Sequence, residues 1–156
     1  MIDRLDAKIL NIVQRNNRIT VEQLGAEIGL SASACQRRLS RLRADKVILG
    51  DISVVDSAKV GKELTMIIDV TLEKENLELI NRFKETMREH VQVMQCYYIT
   101  GDKDFVLIVS MRNMAEFELF LNENCINNPA VSRFSTSVVV DPVKVGLAVT
   151  VEEGEL

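Results

Sequence analysis

The spacing of apolar residues changes once along this chain, and the change limits what it can fold into. Up to about residue 46 the apolar side chains recur at intervals of three and four, the period of a helix. From Leu64 they alternate, the period of a strand. A helical first part followed by a part built around a sheet is the outcome that this pattern allows.

In the first part, Leu5, Ile9, Ile12 and Val13 mark an amphipathic helix that stops near Asn16 and Asn17. Thr20 with Gln23 three residues later forms a capping box for a second helix, whose face is Val21, Leu24 and Ile28 and whose end is Gly29. Ser33 with Gln36 repeats the box and opens a third helix, with Cys35, Leu39 and Leu42 on one side. Three short helices with a tight turn between the last two predict a helix-turn-helix. The run "VILGDISVV", Val47–Val55, then reads as a small hairpin or wing about its Gly-Asp pair.

In the second part, Leu64, Met66, Ile68, Val70 and Leu72 predict a strand, and Leu79, Ile80, Phe83 and Met87 a helix. A strand from about Val93 to Thr100, the turn "GDKD" and the strand "FVLIVSM" follow. Asn113 and Glu116 cap a further helix through Phe117, Phe120 and Leu121, and "RFSTSVVV" closes the series after Pro129. The order is βαββαβ. The predicted fold class is therefore α+β, an N-terminal winged helix-turn-helix followed by a ferredoxin-like βαββαβ domain. The expected boundaries are 1–55 for the winged domain, with the helix-turn-helix at about 21–40, a connector at 56–63, the ferredoxin-like domain at 64–142 and a C-terminal tail at 143–156. The echo between "VVDSAKVG" at Val54–Gly61 and "VVDPVKVG" at Val139–Gly146 stops at both ends, so it reads as coincidence rather than a repeat.

Charge divides along the same line. Residues 1–50 carry nine Lys and Arg against five Asp and Glu, and residues 51–156 carry ten against eighteen, so the chain's net −4 splits into +4 and −8. The first part suits an anionic partner and the second would repel it. Much of the positive charge lies in "CQRRLSRLRADK", Cys35–Lys46, which holds four arginines and a lysine against one aspartate. At 100° per residue, Cys35, Leu39 and Leu42 gather on one side of this helix, Ser33, Arg37, Ser40 and Arg41 on the other, and Arg38 and Arg43 on the shoulders. A helix seated in the major groove of DNA needs that division: an apolar side against its own domain, Ser33, Gln36, Arg37, Ser40 and Arg41 toward base edges, and Arg38 and Arg43 toward phosphates. The competing reading is an ordinary solvated face. Capping boxes, the Gly29 turn, the basic imbalance and the wing occurring together favour DNA.

The turn "TGDKDF", Thr100–Phe105, combines a glycine with two carboxylates. As structure alone it is a hairpin loop. As chemistry it can receive an α-amino acid, with Asp102 or Asp104 on the ammonium and Gly101 opening the backbone to the ligand. Lys103 would neutralise one aspartate within the loop, leaving Asp104, beside the apolar strand, as the favoured partner. Thr136 and Ser137 on the last strand are further hydroxyl donors, or simply strand residues.

The rival reading is a small ferredoxin-like enzyme or ligand-binding protein whose basic helix is only a solvated surface. A catalyst has little to stand on: the single histidine, His90, falls at a helix end where a cation suits the dipole, and neither a nucleophile elbow nor a phosphate loop is written in the chain. Cys35, Cys96 and Cys125 lack disulfide or metal-ligand spacing, so no metal and no cofactor is expected, and a reducing cytoplasm fits. No apolar run is long enough to span a bilayer, and the N-terminus lacks the apolar core of a signal peptide, so no membrane partner is expected.

The stretch "LDAKILNIVQRNNRITVEQLGAEIGLSASACQRRLSRLRADKVILG", together with "ITGDKDFVLIV" and "VSRFSTSVVV", resembles the Lrp/AsnC, or feast/famine, transcription regulators over nearly the whole chain. The resemblance implies a winged helix-turn-helix that binds promoter DNA as a dimer. It further implies a ferredoxin-like domain that builds the homo-oligomer, in many relatives an octamer, and senses an amino acid, with the loop at 101–104 helping to hold the effector. Many relatives carry Pro and Thr where this chain has "SASAC", which leaves the operator sequence open.

Overall fold

The structure, a computed structural model, describes residues 2–73 and 77–153. The chain forms two compact units. One holds the residues up to Val54 together with those from Lys144, and the other runs from Val55 to Val143.

The first unit contains α1 (Arg4–Val13), α2 (Val21–Ile28) and α3 (Ala32–Ala44). Ile9, Leu10, Leu24, Cys35, Leu39 and Leu42 meet in one apolar cluster, so the stripes predicted on the three helices bury one another. The Thr20–Gln23 box closes reciprocally at 3.2 and 3.1 Å, and Asp3 and Asp6 form a second box at the start of α1. Between α2 and α3 the chain reverses at Gly29, which has φ +76° and donates its N–H to Gly25 O at 2.9 Å. Gly25 is equally necessary: a Cβ there would stand 2.4 Å from the carbonyl oxygen of Leu30.

Three expectations for this unit are corrected. The cap of α3 is Ser31, whose Oγ accepts from Ala34 N–H at 3.3 Å, and not Ser33, because the Gly29 turn delivers the chain into the helix two residues earlier. Val47–Val55 is not a hairpin. Val47 and Ile48 donate back to Leu42 O at 2.9 and 3.1 Å, and the residues after them run on without strand pairing. A lone two-stranded ribbon is marginal without a surface to pack on, and Leu49, Ile52 and Val54 are 90%, 63% and 91% exposed here. Finally, the residues from Lys144 are not a separate tail. They pack on the first unit, where Asn11 of α1 and Gln14 at its C-terminal cap bond the backbone of Val151 and Val149.

The second unit begins with a 3-10 turn at Ala58–Val60 within the expected connector. It continues as β1 (Leu64–Leu72), α4 (Leu77–Glu89), β2 (Val93–Tyr98), β3 (Phe105–Met111), α5 (Met114–Leu121) extended by a π turn (Asn122–Ile126), and β4 (Val131–Val138). The sheet order is β2-β3-β1-β4 with every neighbouring pair antiparallel, the ferredoxin-like arrangement. Met66, Ile68, Val70 and Leu72 of β1 and Phe105, Leu107, Val109 and Met111 of β3 share a core with Ile80, Phe83 and Met87 of α4 and Phe117 and Phe120 of α5. Each such buried side chain stabilises the unit by roughly 1.5–3 kcal/mol. His90 follows α4 and sets its ring edge-on to Phe120 at 5.3 Å. The two echoing segments differ: Ala58–Val60 is a helical turn closed by left-handed Gly61, while 139–146 contains no helical residue.

Among the described residues no helix is long and apolar enough to cross a membrane. Nor, among those residues, do three or more His, Cys, Asp or Glu side chains gather where they could hold a metal ion.

Candidate nucleic-acid interface

The fold of the first unit leaves one side of α3 to solvent. Ser33, Gln36, Arg37, Ser40, Arg41 and Arg43 are exposed, while Cys35, Leu39 and Leu42 are buried behind them. Ser33 Oγ lies 3.2 Å from Ser31 Oγ, and Gln36 Nε2 donates to Ser40 Oγ at 3.3 Å, so the polar groups are linked along the helix surface.

The arginines divide differently from the sequence expectation. Asp6 of α1 is fully buried. A carboxylate in that position needs cations and donors around it, and two arginines of α3 supply them. Arg38 Nη1 donates to Asp6 Oδ1 at 2.8 Å and to Asp3 Oδ2 at 2.6 Å, and Arg41 Nη2 donates to Asp6 Oδ2. Arg38 holds the Asp3 carboxyl below its usual range, and the same hydrogen bond raises the guanidinium in turn. Arg38 is thus tied inside the domain rather than directed at a phosphate, and Arg41 leans back from the groove-facing side to which the helical wheel sends it. Arg43 Nη2 reaches Asp51 Oδ2 at 3.1 Å. Among the described residues Arg37 is the arginine of α3 with no ion-pair partner. A count of charge gives Asp3 and Asp6 no special place. The signal was available, since Asp6 shares the buried side of α1 with Ile9 and Leu10.

The loop in the second unit is also more committed than its composition suggests. Gly101 has φ +119° with open space where a Cβ would stand, and Asp102 is exposed. Lys103 pairs with Asp69 of β1 and not with either loop aspartate, and Ser135 Oγ lies 3.2 Å from that same Asp69 carboxylate. Asp104 fastens the loop to the end of β1: its Oδ2 accepts from Leu72 N–H at 2.7 Å and its own N–H donates to Val70 O at 2.9 Å. One oxygen of Asp104, the expected ammonium partner, thus already serves the fold. Thr136 pairs with Ile68 and Ser137 with Ile67, so the two hydroxyls project from opposite faces of the sheet.

Comparison with known proteins agrees with both halves. The AsnC-type helix-turn-helix domain model matches residues 2–43, and the Lrp/AsnC ligand binding domain model matches residues 65–149. The HTH-type transcriptional regulator y4tD of Sinorhizobium fredii is 46% identical over 151 residues, covering 97% of this chain and 89% of its own. Transcriptional regulator AzlB of Bacillus subtilis is 33% identical, covering 98% of both. Among solved structures, an AsnC family transcriptional regulator from Agrobacterium tumefaciens superposes with a TM-score of 0.85 at 28% identity, over 92% of this chain and 94% of that one. A transcriptional regulator from Neisseria meningitidis in complex with L-Met gives 0.89 at 25% identity, over 96% of each.

Proposed function

The chain belongs to the Lrp/AsnC family of transcription regulators, and from that premise we propose that it reads promoter DNA as a homodimer through Ser33, Gln36, Arg37 and Ser40 of α3. The observation that carries this reading is the exposed polar face of α3, backed by an apolar seam and containing an arginine, Arg37, with no ion-pair partner among the described residues. Arg37 is the base-reading arginine. Arg41, 45% exposed beside Asp6, and Arg43 lie at the margin, where they meet phosphates. One helix-turn-helix makes too few contacts for tight specific binding, and two recognition helices about 34–36 Å apart read successive turns of one groove. The sheet face opposite the helices carries half-buried Ile67, Val106 and Ile108, an apolar surface suited to a second copy. Fragments enriched from a genomic library should bind with a log affinity that falls linearly in log[salt], and a flat salt response would contradict phosphate contact.

The effector is an amino acid held near Gly101 and Asp102, the open part of the loop. The bound L-Met of the Neisseria meningitidis regulator makes methionine one of the twenty to test. A cognate amino acid at 100 times its Kd stabilises the fold by about 2.7 kcal/mol. A thermal-shift screen should find at least one, and Asp102→Asn should reduce its shift while leaving the protein's melting without ligand unchanged. Shifts unaltered by Asp102→Asn would place the effector elsewhere.

A further inference from the structure

Arg4, Lys8, Asn11 and Gln14 follow one another at steps of three and four, so they form a single polar stripe along α1. The extended segment 149–153 runs along that stripe in the opposite direction. Gln14 Nε2 donates to Val149 O at 2.9 Å while Gln14 Oε1 accepts from Val149 N–H at 2.8 Å. Asn11 does the same with Val151, at 2.8 and 3.0 Å. Each side-chain amide therefore exchanges two hydrogen bonds with one residue, as a neighbouring strand does at alternate positions. Two strand residues rise about 6.7 Å and three helix residues about 4.5 Å, a mismatch that side chains of this length absorb. Val151 packs on the apolar cluster of the helices. Two residues on, Glu153 Oε2 lies 3.3 Å from Arg4 Nε and 4.0 Å from Lys8 Nζ.

We propose that this stripe is a binding site for an extended peptide, which reads backbone at alternate residues and requires an apolar side chain two positions before an acidic one, and that its occupant is the chain's own segment 149–153, held reversibly. The contacts support reversibility as well as specificity. Hydrogen bonds between neutral groups and partly exposed ion pairs are individually weak. The preceding residues add little hold, since Val145 and Leu147 are 80% and 68% exposed. Val151 is itself only half-buried at the edge of the cluster that Ile9, Leu10 and Leu24 form beneath it. Backbone capture by a row of polar groups is the logic of strand addition, here carried out by a helix.

The test is fluorescence anisotropy with a labelled peptide of sequence LAVTVEE added to the full chain. Val151→Asp should eject the resident segment and raise the affinity for the free peptide at least tenfold over the unaltered chain. Adding Asn11→Ala and Gln14→Ala should return binding to background. A folded Val151→Asp protein that takes up peptide no better than the unaltered chain overturns the proposal. If that variant does not fold, hydrogen exchange on the unaltered chain decides. Amides of Val149 and Val151 exchanging at least tenfold more slowly than that of Thr150, with Gln14→Ala releasing Val149, support the site, and free-peptide rates at both overturn it.

Discussion

Asp6 carries a charge with no exposed surface, and the orientation of two arginines follows from it. Asparagine at this position keeps the shape and part of the hydrogen bonding but removes the charge that Arg38 and Arg41 answer. Because both guanidiniums retain access to water, 22% and 45% exposed, they can rehydrate, and the loss is smaller than for a wholly buried pair. Asp6→Asn should lower stability by about 1.5–3 kcal/mol, the range for hydrogen bonds to charged groups, measured by urea denaturation; an unchanged midpoint would mean that the cluster contributes nothing net. A wheel drawn for α3 alone correctly puts Cys35, Leu39 and Leu42 inside. It cannot show that Arg38 and Arg41 are claimed from another helix, because the claimant lies 32 and 35 residues away. The partners of the loop lie beyond a local reading for the same reason: Asp104 is held by Leu72 and Lys103 by Asp69, residues that only the β1–β3 register brings near.

At the scale of elements, local signals served well where each element carries its own pattern. Alternation in Leu64–Leu72 and the order βαββαβ were enough to imply the sheet, whose antiparallel pairs follow from that order. They failed where two local signals compete. Ser31 and Ser33 both suit an N-cap, and Gly25 decides between them by letting the Leu30 carbonyl approach α2. A methyl group at residue 25 forces that backbone apart, so Gly25→Ala should destabilise the first unit by about 1–3 kcal/mol. The check is thermal melting followed by helix circular dichroism, and a melting temperature equal to that of the unaltered chain would contradict the close approach. In the second unit Glu116 ties the start of α5 to its surroundings. Its carboxyl is lowered to about 2 by the Arg112 backbone N–H first and the Lys62 ammonium next. A depressed carboxylate stabilises the fold above its unfolded value of 4.5 and loses that contribution as pH falls through about 2. Glu116→Gln should therefore be less stable than the unaltered chain at pH 7, with the gap closing between pH 4.5 and 2. A gap independent of pH would assign it to packing rather than charge.

For the whole molecule, the change of apolar period falls at the division between the two units, so the two-part organisation was legible from the sequence, whereas the charge contrast of +4 and −8 shrinks to +1 and −5 once Asp51 and the residues from Lys144 are counted in the first unit. The return of the last described residues to the first unit was not legible. It depends on amides of α1 meeting backbone 135 and 140 residues away, and hydrogen bonds to backbone leave no mark on the identity of the residue bound. Gly50 and Asp51 announce a turn, but a ribbon also needs a partner surface, and the expected wing does not form without one. The proposed function rests on α3 reading bases through Arg37, with Arg38 tied inside the domain and Arg41 and Arg43 at the margin. The most direct test is to measure the affinity of the full chain and of Arg37→Ala for a selected genomic fragment and for the same fragment scrambled, at one salt concentration. The unaltered chain should prefer the selected fragment, and Arg37→Ala should lose about 1–3 kcal/mol of that preference while binding the scrambled fragment nearly as before. Equal preference in the two proteins would contradict the assignment of Arg37 and, with it, of α3 as the reading helix.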